Sequence, residues 1–139
     1  MNTKRVVFFA LIVLLLVGCG GAKYAEEKTL LTTVTKAMES FSSSMTSAGT
    51  PQDVAKIIGT FTGQIETVLP KMKELSDTHP EWEDNPPKEL ESAFEKFESA
   101  QTKFKDETMP KVMQFAQQNA ESPELQAALQ KFSGLMSQL

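Results

Sequence analysis

One cysteine, one histidine, one tryptophan and one tyrosine in 139 residues leave the chain poor in the side chains on which most site chemistry depends. A single cysteine excludes an intramolecular disulfide, so stability has to come from a hydrophobic core. A single histidine excludes a di-iron bundle that draws a Glu-x-x-His pair from each of two helices. The chain has no His-Glu-x-x-His, no Cys-x-x-Cys-His and no glycine loop of the kind that cradles phosphate. Serines are plentiful, but no local signature selects one as a nucleophile. Neither an enzymatic activity nor a cofactor is expected. Basic residues are also few: 14 Lys and Arg stand against 18 Asp and Glu, a formal charge of −4. Sequence-independent nucleic-acid binding needs clustered Lys and Arg, so no nucleic-acid partner is expected. The alternation of apolar and polar residues that marks a half-buried strand appears nowhere, which points to an all-α fold.

The only long apolar run lies at the start. Lys4 and Arg5 precede Val6 to Val17, and Gly18 and Cys19 follow. A run of about 12 residues spans roughly 18 Å as a helix, short of the roughly 30 Å hydrocarbon core of a bilayer. It fits the h-region of a secretory signal peptide, with Lys4 and Arg5 as the positive n-region. The alternatives are an uncleaved N-terminal anchor and a buried core helix.

Leu16-Val17-Gly18-Cys19 resembles the lipobox of bacterial lipoproteins. The resemblance covers residues 1 to 19. It implies diacylglyceryl transfer to the Cys19 sulfur, cleavage between Gly18 and Cys19, and acylation of the new amine, for example by palmitate. More than one acyl chain gives stable rather than transient attachment. Gly20 is not the Asp that resembles an inner-membrane retention signal, so an outer-membrane destination is favoured in a host with two membranes. The resemblance divides the chain into a signal peptide (1–18), a lipidated tether (19–22) and one domain (23–139). Loss of Lys4 and Arg5 with the signal peptide would move the formal charge from −4 to −6. Cysteine nucleophilic catalysis is excluded once Cys19 is acylated.

The remaining chain reads as helices. Leu31, Val34, Met38, Phe41, Met45 and Ala48 fall at alternating spacings of three and four, with Tyr24 one heptad earlier. Thr50-Pro51 with Asp53 starts a second helix, in which Val54, Ile58, Phe61, Ile65, Val68, Met72 and Leu75 form the stripe and Ile57 and Leu69 widen it. Pro70 falls inside it and predicts a kink. Gly59 and Gly63, four apart, suggest tight packing against a neighbouring helix, or a homodimer seam. A third helix is expected from about Pro86, with Asn85 as cap, to Asn119. Its apolar stripe shifts between Phe104 and Met109 beside Pro110, which predicts a bend or an interruption. On its polar side Lys103–Glu107 and Glu107–Lys111 are spaced for ion pairs. Ser122-Pro123 starts a short final helix marked by Leu125, Leu129, Phe132, Met136 and Leu139. These features predict an antiparallel bundle of three long helices and one shorter C-terminal helix, preceded by the apolar signal helix.

Few residues suggest a site. His79, Glu81, Glu83 and Asp84 share a proline-rich connector, but their spacing matches no metal-binding loop. The plainer expectation is an acidic turn with Trp82 folded over the end of the bundle. Met109 and Met113 are four apart, as thioether ligands would need, although methionines at such positions ordinarily fill core gaps. The functional expectation is a structural or protein-interaction module in the cell envelope. Its partners would be the membrane, through acylated Cys19, and an envelope protein, met by an apolar strip on the final helix. The alternative is a carrier or sensor of a small apolar ligand, with a cavity among Phe61, Phe94, Phe97 and Phe104.

Overall fold

The computed structural model describes residues 23–138, so Gly18, Cys19 and the signal segment lie outside the described residues. Within them the chain is all-helical. The elements are α1 (Ala25–Ser47), α2 (Pro51–Thr78), a 3₁₀ turn (Pro80–Trp82), α3 (Glu91–Lys103), a π-helical turn (Phe104–Thr108), α4 (Met109–Gln118) and α5 (Pro123–Met136). Because α3, the π turn and α4 run on without a break, the described residues make four helices.

Side-chain caps set the starts of α2 and α5. Thr50 Oγ1 accepts from Asp53 N at 3.1 Å while Asp53 Oδ2 accepts from Thr50 N at 3.1 Å, a complete capping box with Pro51 next in line. This network holds the Asp53 carboxyl below its ordinary value, chiefly through its hydrogen bond with the Thr50 side chain. At α5, Ser122 Oγ accepts from Leu125 N at 3.4 Å, again ahead of a proline. The third helix begins later than its sequence suggests. Pro86 and Pro87 stay outside it, and Leu90 N and Glu91 N both donate to Pro87 O. A residue followed by proline is pushed away from the α region, so Pro86, which Pro87 follows, cannot open the helix.

The core draws on all four helices. Leu31, Val34, Met38, Phe41 and Met45 of α1 are buried as the stripe predicts, and so are Val54, Ile58, Phe61 and Ile65 of α2. Leu69 rather than Val68 continues the α2 stripe, and Leu135 rather than Met136 continues that of α5. Phe41, Phe61, Phe104 and Phe132, one from each helix, pack on one another with ring centroids 4.9 to 6.5 Å apart. Burying each ring is worth about 1.5–3 kcal/mol, so this cluster ties the four helices together. Helix α2 runs through Pro70, whose exposed ring lies on the solvent side.

α1 packs against both α2 and α3, and α5 packs against α2. Tyr24, at the start of α1, meets Trp82 in the connector ahead of α3, and Ser42 meets Thr108 far along both helices. α1 and the α3–α4 helix therefore lie side by side from the same end. The connector of residues 79–90 carries the chain from the end of α2 to that end.

The π turn explains the shifted stripe. Leu90, Phe97, Phe104 and Val112 are separated by seven, seven and eight residues, and Ala93, Ala100, Thr108 and Phe115 by seven, eight and seven. One extra residue lies between Phe104 and Thr108 in both series. Met109 N reaches back five residues to Phe104 O, which absorbs the extra residue and returns both series to the core. Phe104, Thr108 and Val112 are all buried as a result.

Candidate functional site

The end of the domain where the chain enters from residue 22 is built around Trp82. Although it sits on a connector, Trp82 is only 6% exposed. The Tyr24 ring meets it edge-on at 5.2 Å and 86°, and the His79 ring stacks on it at 3.9 Å and 6°. Lys23 Nζ lies 4.9 Å from the centre of the Tyr24 ring, within cation–π range. Tyr24 also has φ 66, the one positive value at a non-glycine residue among the described residues. A bulky side chain in this region costs energy, and the contact with Trp82 offsets that cost. The chain thus enters α1 through a fixed bend. Trp82 folds over the end of the helices as expected, and His79 is part of that cap, with Nδ1 3.4 Å from Glu81 Oε1. Among the described residues no three His, Cys, Asp or Glu side chains stand close enough to hold a metal ion.

Two grooves flank α1. One, of about 390 Å³, runs between the first half of α1 and the last third of α2. The other, of about 830 Å³, runs between the second half of α1 and the α3–α4 helix. In the larger groove Ser42 and Thr108 share a 2.7 Å hydrogen bond, so the π turn contributes a buried hydroxyl to its wall. Lys96, Lys103 and Lys111 line one side, spaced by seven and eight residues. The added residue of the π turn therefore keeps Lys111 in their row. Neither of the pairs Lys103–Glu107 and Glu107–Lys111 is among the ion pairs of the described residues. No local signal reveals this groove, because its walls meet only through the side-by-side course of α1 and the α3–α4 helix.

The other residues singled out by the sequence fall mostly into structural roles. Phe61 and Phe104 are ring neighbours at 5.3 Å in the core, whereas Phe94 and Phe97 are half-buried nearer the surface. None of the four lines either groove flanking α1. Met109 packs at the edge of the core, and Met113 is 53% exposed. The apolar strip of α5 is turned inward: Leu125, Phe132 and Leu135 are buried, leaving Met136 at 37% exposure. Gly59 and Gly63 overturn the expectation of tight packing. A Cβ placed on either would meet nothing within 4 Å, so no neighbouring helix approaches them. No helix of the described residues is long and apolar enough to cross a membrane.

Compared with protein-family models, with curated proteins and with solved structures, the chain matches none.

Proposed function

We propose that the chain is a lipid-anchored protein of the cell envelope. Its helical domain acts as a structural or protein-interaction module and is held at the membrane by acylated Cys19. The observation that carries this reading is the ordered series Lys4-Arg5, twelve apolar residues ending in Leu16-Val17, then Gly18-Cys19, with the only cysteine of the chain at its end. The exported side of a membrane is the implied location, and the outer membrane where there are two. The domain is taken as an antiparallel bundle in the sense that the chain reverses direction at each connection between its four helices.

Two features of the domain support a tethered role. The bend at Tyr24, clamped by Trp82, gives the tether a defined point of departure. The larger groove, lined by hydroxyls, three lysines and three glutamates, offers a polar interaction surface on a side remote from that end. Because the strip on α5 is buried, this groove replaces it as the surface for an envelope partner.

Metabolic labelling with a tagged fatty acid tests the anchor. The parent chain should take up label and Cys19→Ser should take up none, accumulating as an unprocessed precursor. A Cys19→Ser variant that is processed and membrane-bound like its parent would overturn the reading. Cross-linking from position 99 or 103 in the native membrane tests the module. A discrete protein adduct supports it, and recovery of a small apolar molecule alone would favour the carrier reading.

A further inference from the structure

The smaller groove, between α1 and α2, combines an apolar floor with an acidic rim. Leu30, Val68 and Leu75 form its apolar floor. Around that floor stand Glu26 and Glu27 of α1 and Glu74 of α2, against one ammonium, that of Lys71, and His79 at the end. None of the three carboxylates belongs to an ion pair among the described residues.

The hydroxyls of the rim sharpen this bias. Thr29 donates its proton to Ala25 O at 2.8 Å, Thr33 to Thr29 O at 2.8 Å, and Thr67 to Gln64 O at 2.7 Å. With their protons committed to helix carbonyls, these oxygens can only accept. Acceptors thus outnumber donors on the rim, where Lys71 and the Thr78 hydroxyl are the side chains left to donate beside His79. Helix electrostatics account for part of the arrangement, since Glu26 and Glu27 sit in the first turn of α1, where carboxylates are favoured. They do not account for Glu74, which lies near the negative end of α2, a helix with no basic residue in its last turn. That uncompensated end adds to the pull on a cation.

We infer that this groove binds a small organic cation with a primary ammonium head and an aliphatic body. The body lies along Leu30, Val68 and Leu75, and the head donates to the carboxylates and threonine oxygens of the rim. A volume of about 390 Å³ suits a small molecule rather than a polypeptide segment. Lys71 opposes the head and so sets selectivity as well as strength. This inference stands apart from the anchoring reading, because nothing in the groove depends on Cys19.

The test uses the full chain, isotope-labelled in nanodiscs of a neutral lipid, titrated with hexylammonium and, separately, hexanoate. The ammonium should shift the resonances of Leu30, Val68 and Leu75 at concentrations at least about tenfold below those needed for the carboxylate. Glu27→Gln and Glu74→Gln should each weaken binding by about threefold, and Lys71→Gln should strengthen it by a similar factor. The opposite signs of these effects separate a binding site from a general loss of structure. Equal response to both ions, shifts scattered outside the groove, or weakening by Lys71→Gln would overturn the inference.

Discussion

Replacing Gly59 and Gly63 by alanine should make the protein more stable, against the usual expectation for paired glycines in a helix. Both lie in the interior of α2, where glycine is less favourable than alanine by about 0.8–1 kcal/mol. Such a cost is normally repaid by close approach of a second backbone, but a Cβ at either position meets nothing within 4 Å. The alanine methyls therefore enter open space, and the full gain in propensity remains. Two substitutions together should add about 2 kcal/mol. With an unfolding entropy of about 2.1 cal/mol/K per residue, a domain of this size should then melt roughly 8 °C higher. Thermal and urea unfolding followed by circular dichroism at equal protein concentration would measure the change, with the two single variants as checks on additivity. A fall in stability for either variant would refute the reasoning, since it would mean a neighbour sits against that face. Sedimentation of the same proteins tests the homodimer seam: a dimer in the parent that is lost in the stabilised variant would place the contact on these glycines.

Other consequences follow from the capping, the π turn and the end cluster. Thr50→Ala should cost about 1 kcal/mol in denaturant unfolding. Because the Asp53 carboxyl is held below its ordinary value of 3.8, its contribution is fully present above that pH and is lost as pH falls through the folded value. The unfolding curves of the parent and Asp53→Asn should therefore differ at neutral pH and converge in acid. Deletion of Asp106 combined with Pro110→Ala should be tolerated, since it turns the seven-and-eight spacing into unbroken sevens. Deletion of Glu98 in α3 should unfold the chain by rotating everything after it, and circular dichroism would separate the two cases. Trp82→Ala should cost about 3–5 kcal/mol despite its place on a connector, and in the parent the emission of this sole tryptophan should be that of a buried indole.

The sequence was most informative where one short-range interaction decides the outcome. Thr50-Pro51-Asp53 and Ser122-Pro123 each identify a helix start because the cap lies within three residues of what it satisfies. The stripes of α1 and α2 likewise name their buried faces, because the period of the helix does not depend on which neighbour covers it. The displaced stripe after Phe104 gave the position of the π turn, although not its form. Legibility ends where packing decides. Nothing local distinguishes a glycine pair under a neighbouring helix from one facing water, and Gly59 and Gly63 proved to be the latter. Nor does spacing reveal that Leu135, rather than Met136, completes the inward face of α5, since that depends on how α5 lies along α2. The site at the larger groove was hidden for the same reason. Ser42 and Thr108 are 66 residues apart, and only the side-by-side course of α1 and α3–α4 brings them together.

The central claim, attachment through Cys19, is tested most directly by intact-mass and N-terminal analysis of the protein extracted from its native membrane. The account predicts a chain that begins at Cys19 and carries the mass of a diacylglyceryl group, with a further acyl group on the amine. A chain that begins at Met1, or at any residue after Cys19, with an unmodified sulfur or none, would contradict it.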